Sequence, residues 1–220
     1  GQTDGLKDIN LKIKAGELIV ITGSSGCGKT TLTKIINGLI PKYYQGHLTG
    51  QILIQGLPIT QMAVGELGKW IANVFQNPKS QFFSNIVEDE IALIGENFGL
   101  EQQELRARVR KACQLLNIEH LMSAEVHKLS SGEKQKVAIA STLVHDSPII
   151  LLDEPSANLD LKSAYELGEI LKQLKHMGKT IIISEHRLFF LKDILDRLVI
   201  MKNGEISNVI SAAELVDFDY

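Results

Sequence analysis

The chain has 220 residues, a length that suits one domain with a subdomain inserted into it. It is 44% hydrophobic and 22% charged with a formal net charge of -3, which argues against a broad, non-specific nucleic-acid binder. The longest apolar runs are far too short to span a bilayer, and the first residues carry no pattern of a secretory signal. Cys27 and Cys113 are too few for a disulfide scaffold and fit a reducing cytoplasm.

From Leu6 to Lys14 the segment "LKDINLKIK" alternates, which predicts a strand, and a turn follows at Ala15-Gly16. Leu18 to Ile21 is continuously apolar, the pattern of a parallel strand buried on both faces. "QILIQGLPIT" (51–60) and "KWIANVF" (69–75) predict further strands. From Val87 to Leu143 the pattern turns helical. "EQQELRARVRKACQLLNI" (101–118) places Leu105, Val109, Ala112 and Leu116 on one face, and Arg106, Arg110 and Lys111 read as its solvated side. A polar loop at 127–132 opens onto a helix expected from about Glu133, with Val137, Ala140, Leu143 and Val144 apolar. Strands return in "IILLDEP" (149–155), "KTIIISEH" (179–186) and "RLVIMKNGEIS" (197–207), the last with a hairpin signal at Asn203-Gly204. Strands alternating with helices predict an α/β core with parallel strands, interrupted by a helical insert over roughly 77–146.

"GSSGCGKTT" (23–31) matches G-x-x-x-x-G-K-[ST] between an apolar strand and the helical pattern Leu32, Ile35, Ile36, Leu39, the context that motif requires. Gly23, Ser24, Ser25, Gly26, Cys27 and Gly28 let backbone N–H groups face phosphate oxygens. Lys29 supplies a charge for the β- and γ-phosphates, Thr30 a hydroxyl for Mg²⁺, and Thr31 completes the loop. Asp153 ends a buried strand where it can reach the same Mg²⁺, because ligands gather at the carboxyl ends of parallel strands. Glu154 then points elsewhere, free to orient and deprotonate the attacking water. His186 follows another buried strand and is placed to donate to a γ-phosphate or hold that water. Gln76 closes the strand before Asn77-Pro78 and is a candidate for positioning water or metal. Each of these residues has a purely structural alternative: a Gly-rich turn, a solvated strand end, a lone histidine, a surface amide.

Together these residues resemble the ATP-binding-cassette (ABC) ATPase family from about Gly5 to Ile206. The loop 23–31 looks like its Walker A motif, Gln76 its Q-loop, "LSSGEKQ" (129–135) its signature loop, "IILLDE" its Walker B strand, "SANLD" (156–160) its D-loop and His186 its switch histidine. The resemblance implies a P-loop NTPase (RecA-like) α/β core, formed by 1–76 and 147–220, with an antiparallel β subdomain and an α-helical subdomain at 77–146. It implies ATP and Mg²⁺ as ligands, Thr30, Gln76 and Asp153 at the metal, and Glu154, His186 and Gln76 in catalysis. It also implies a head-to-tail pair, in which Ser130, Ser131, Gly132 and Glu133 of one domain bind the γ-phosphate of ATP held by the other. ATP then favours the closed pair and ADP does not, since a ligand shifts an equilibrium only through differential affinity.

Three stretches are similar to ATPases of energy-coupling-factor transporters: 38–56, 74–97 and 184–191. That subgroup implies uptake of a vitamin or transition-metal ion, with a second ATPase domain, a transmembrane scaffold, a membrane-embedded substrate-binding component and a place at the cytoplasmic face of the membrane. Ser80 to Phe83 and Glu88 to Glu90 are its expected scaffold contacts, against the alternative of a helix cap and exposed charge. Departures are Ser131 and Glu133, where the family usually has Gly and Gln. No adenine-stacking aromatic is evident, so the chain reads as a fragment lacking its first strand. Cys27 lies beside Lys29 at a helix N-terminus, a setting in which thiols are reactive, or is a small residue filling a variable position. Rival readings are a soluble ABC protein of the ribosome-associated or repair kind, and a nucleotide-gated module with little hydrolysis.

Overall fold

The computed structural model describes residues 5–76 and 81–215. A six-stranded sheet runs in the order β4 (Ile71–Val74), β5 (Ile149–Asp153), β6 (Thr180–Ser184), β1 (Leu18–Gly23), β7 (Arg197–Lys202), β8 (Glu205–Ser211). Each neighbouring pair is parallel except β7 with β8. That pair turns at Asn203 and Gly204, at φ 52° and 81°, a two-residue turn whose twist suits a hairpin. A separate antiparallel pair, β2 (Leu53–Ile54) and β3 (Leu57–Pro58), flanks Gln55 and Gly56.

The continuous apolar run in β1 follows from its place at the centre. Leu18 and Val20 join one core with Leu152, Ile183 and Leu198, while Ile19 and Ile21 join another with Leu151, Ile182 and Val199. All of Leu18 to Ile21 are 0% exposed, and each such side chain contributes about 1.5–3 kcal/mol of burial. Helix α1 (Lys29–Ile36) covers the second face through Leu32. Two short helices, α2 (Leu39–Lys42) and α3 (Val64–Gly68), lie between it and β4.

Between β4 and β5 come α4 (Val87–Asn97), α5 (Gln102–Leu115) and α6 (Ser131–His145). On α5, Leu105, Val109 and Ala112 are buried and Arg106, Arg110 and Lys111 exposed, as the periodicity predicts. Helix α6 begins two residues earlier than expected because Ser130 caps it. It is buried from Val137 through Thr142 rather than on one stripe, since it packs against α4, α5, α7 (Leu161–His176) and β4. α8 (Ala212–Leu215) follows β8.

One expected strand is absent. Leu6, Ile9, Leu11 and Ile13 pack on the second core and the polar residues between them are exposed, but no ladder pairs 6–14 among the described residues. Asp8 turns the chain at φ 46°, and isolated bonds hold the segment, among them Lys7 N–H to the Gly204 carbonyl at 2.8 Å, Arg197 Nη2 to the Lys12 carbonyl at 2.6 Å and Lys14 N–H to Glu17 Oε2 at 2.7 Å. Alternation fixes which side chains face inward; a strand also needs a neighbouring backbone.

Candidate active site

β4, β5, β6 and β1 lie side by side and parallel, so the segments leaving their carboxyl ends meet along one edge. After β1, residue 23 must be glycine. It sits at φ 149°, and a Cβ there would lie 2.3 Å from the Met201 carbonyl oxygen. The loop folds back as Cys27 N–H donates to Ser24 O at 3.2 Å, and Gly204 N–H secures it at Cys27 O at 3.0 Å. Ser24, Ser25 and Gly26 are exposed, Gly28 caps α1 in a left-handed conformation, and Thr30 is exposed on the first turn beside the half-buried Thr31.

Lys29 is 4% exposed, and its ammonium donates to the carbonyls of Gly23 at 3.0 Å and Ser24 at 3.3 Å. No carboxylate among the described residues pairs with it. A buried cation held only by neutral carbonyls at a helix N-terminus favours an anion beside it. Cys27 does not fit the reactive-thiol expectation. It is 4% exposed and packed with Ile19, Leu32 and Met201, so its sulfur fills core space away from reagents.

Asp153 ends β5 and accepts a hydrogen bond from the Ser184 hydroxyl. With Thr33 of α1 and Asn37, the residue that caps its end, it lines a pocket of about 80 Å³, which puts the strand end against that helix. Glu154 departs from the strand at φ 45°, a left-handed conformation that costs a non-glycine residue about 1–3 kcal/mol. Its N–H is held on the Ser184 carbonyl at 2.9 Å. Its carboxylate then accepts from Gln76 Nε2 at 2.8 Å and lies 3.3 Å from His186 Nε2. Three residues singled out separately in the sequence thus meet at one carboxylate. Gln76 donates through its nitrogen and so keeps Oε1 for another partner. That oxygen, the Thr30 hydroxyl and the Asp153 carboxylate are hard donors, few in number, which suits Mg²⁺ with its retained waters and phosphate ligands.

The second loop behaves differently. Ser130 caps α6, its hydroxyl accepting from Glu133 N–H at 3.3 Å, while Glu133 Oε2 accepts from Ser130 N–H at 2.8 Å and Ser130 Oγ at 2.7 Å. The Ser130 hydroxyl first, and then its N–H, hold the Glu133 carboxyl below the usual carboxylate range. Ser131 is exposed. At Gly132 a Cβ would lie 2.8 Å from Ser163 Oγ and 3.2 Å from its Cβ on α7, so any larger residue there obliges Ser163 to move. No hydrogen bond among the described residues joins 130–133 to 23–31 or to Glu154. Lys134, which the sequence reading missed, is 6% exposed and ties the loop by donating to the His127 carbonyl at 3.2 Å and to the Leu129 carbonyl. Glu185 and Arg187 were missed too, although they flank His186 in the quoted run.

Past Gln76, Ser80 lies outside the described residues. Phe83 is 84% exposed, and Glu88 and Asp89 are exposed. Glu90 is not the surface contact expected. It is 5% exposed and turns inward to accept Phe83 N–H at 2.8 Å and Ser84 N–H at 2.7 Å.

The family model described as ABC transporter matches residues 6–157. This chain belongs to the ABC transporter family. An ABC transporter ATP-binding protein of Treponema denticola is 46% identical over 201 residues, 91% of this cassette and 41% of that protein. A second from the same organism is 42% identical, covering 97% of the cassette and 44% of its own length, so the cassette spans less than half of these relatives. Among solved structures, cbiO1 of Clostridium perfringens, described as part of the ABC transporter complex cbiONQ, is 34% identical with a TM-score of 0.87, covering 96% of the cassette and 84% of cbiO1. A dimeric ATP-binding cassette bound to ADP and Pi, MJ0796, is 28% identical with a TM-score of 0.81, covering 94% and 90%. The cassette therefore has the P-loop NTPase fold of ABC ATPases.

Proposed function

We propose that this cassette binds ATP on residues 23–31 and hydrolyses it when a second cassette closes over the γ-phosphate. The observation that carries the reading is the convergence of Gln76 and His186 on Glu154, at the strand ends beside the phosphate loop. Gly23, Ser24, Ser25, Gly26, Cys27, Gly28 and Thr31 contribute backbone around the phosphates, with Lys29 as their cation. Thr30, Gln76 and Asp153 would hold Mg²⁺, which when bound neutralises charge on the phosphate oxygens. Glu154 accepts the proton of the attacking water, Gln76 fixes the carboxylate, and His186 faces the developing charge. General-base help of this kind is worth about 10²–10⁴ in rate.

Because no hydrogen bond among the described residues joins 130–133 to 23–31, Ser130, Ser131, Gly132 and Glu133 are assigned to ATP held by the facing cassette. ATP bridges two surfaces and ADP does not, so hydrolysis releases the pair. The likeness to cbiO1 supports the finer reading of an energy-coupling-factor importer for a vitamin or transition-metal ion, carried at the cytoplasmic face of the membrane. Phe83, 84% exposed just past Gln76, supports a scaffold contact there. The test is phosphate release by the full-length protein and its Glu154→Gln variant. The expected fall is about 10²–10⁴ with ATP binding retained; equal rates would instead make this a nucleotide-gated module.

A further inference from the structure

The segment after β6 is bonded to the segment after β5 almost residue by residue. Ser184 holds Asp153 and Glu154, and His186 meets Glu154. Two residues to which catalysis assigns no role complete the set. Glu185 is 2% exposed, and its carboxylate accepts from Ser156 N–H at 3.1 Å through one oxygen and from His186 N–H at 2.7 Å and Arg187 N–H at 3.1 Å through the other. Arg187 reaches back through Nη1 to the carbonyls of Leu159 at 3.0 Å and Ser156 at 3.4 Å. Loop 156–160 is thus gripped on both its N–H and C=O sides by the residues flanking His186.

A buried carboxylate is costly unless its hydrogen bonds are satisfied, and space filling alone would be met by an apolar residue. The bonds that satisfy Glu185 run to two different segments, which is what a coupling element requires and packing does not. We infer that Glu185 and Arg187 are positioning residues that make loop 156–160 and His186 move as one body. A second cassette that meets the exposed Ala157, Asn158 and Asp160 of that loop would then shift the imidazole that already lies 3.3 Å from Glu154. This inference rests on the proposed reading of ATP hydrolysis between two cassettes. It supplies a route by which the facing cassette is sensed at this chain's own Glu154, through backbone bonds rather than through the nucleotide.

The test is the ATP dependence of phosphate release by the full-length protein, alongside binding of a fluorescent ATP analogue. Glu185→Gln keeps the shape of the side chain, but in either amide orientation its NH₂ faces a backbone N–H. The expected result is a fall in kcat of about tenfold from sub-ångström misplacement, with nucleotide affinity within about twofold of wild type. The Hill coefficient should drop from about 2 toward 1, because coupling between two sites is what is lost. Arg187→Met should behave alike, and Arg187→Lys, which still reaches one carbonyl, should recover part of kcat. Wild-type kcat and Hill coefficient in Glu185→Gln would overturn the inference. So would a parallel loss of kcat and nucleotide binding, the mark of a purely structural role. A wild-type protein that releases no phosphate, or a Glu154→Gln variant as fast as wild type, overturns the catalytic reading and this coupling with it.

Discussion

The loop after β1 and the loop before α6 both lead small residues onto a helix N-terminus, yet their polar groups are engaged in different ways. In the first, the buried Lys29 ammonium rests on neutral carbonyls, and Ser24, Ser25 and Gly26 lie open to solvent. In the second, the Ser130 N–H and hydroxyl are both taken by Glu133 of the same helix. One loop is prepared for an anion within its own chain. The other is already capped, with the Glu133 carboxylate against its N–H and hydroxyl. On the proposed reading this contrast separates two roles: the first loop takes nucleotide within its own chain, and the second meets a phosphate held by the facing cassette.

Breaking the first loop should have the largest effect. Lys29→Ala removes the buried ammonium of this loop, and ATP affinity measured by titration should fall by about 3 kcal/mol, roughly 150-fold. Retained affinity would mean that the loop is a structural turn.

The second loop can be strained without touching charge. Gly132→Ala forces a Cβ against Ser163 Oγ, and chemical denaturation should show a loss of about 1–2 kcal/mol. Ser163→Ala should return a good part of it, with a coupling of at least about 0.5 kcal/mol in the double-mutant cycle. Independent effects would contradict the helix approach described here.

Glu133→Gln sharpens the comparison. A glutamine still completes the capping box, so α6 keeps its start, while the negative charge goes. ATP-driven association of cassettes should strengthen by about threefold, more at low salt, in line with the modest worth of exposed charges. Weaker association by sedimentation would show that Glu133 helps rather than opposes the anion.

The smallest effect lies at the far end of α6. Burial first, then the charges of Arg108 and Lys69, holds the His145 imidazole below its ordinary value, with Asp146 opposing and Lys179 assisting. The unfolded chain therefore binds that proton first. The associated stability is complete above about pH 7 and falls as pH drops through the lowered value. His145→Phe, keeping a ring against Phe98, should flatten the slope of stability between about pH 5 and 7. An unchanged slope would place the pH dependence elsewhere.

What the sequence revealed and what it hid divide by range. The stripe Leu105, Val109, Ala112 was readable because helix period and burial are local, and Gly23 to Thr31 because a strand, a turn and a helix follow one another. Gln76, Glu154 and His186 were each readable as strand ends, and the parallel order of β4, β5 and β6 then forces them together. Glu185 stayed hidden because its partner Ser156 lies 29 residues away and only strand pairing brings it near. Glu90 looked like surface charge until its carboxylate proved to be the acceptor for Phe83 and Ser84. The 6–14 segment misled for the opposite reason: its alternation is real, but a ladder depends on a partner that alternation does not reveal.

The most direct measurement is disulfide formation between Ser130→Cys and a cysteine placed in the phosphate loop of the facing cassette, in full-length Glu154→Gln protein also carrying Cys27→Ala. The account predicts a crosslinked band with ATP and little with ADP. No band while ATP is demonstrably bound, or equal bands with and without nucleotide, would contradict it.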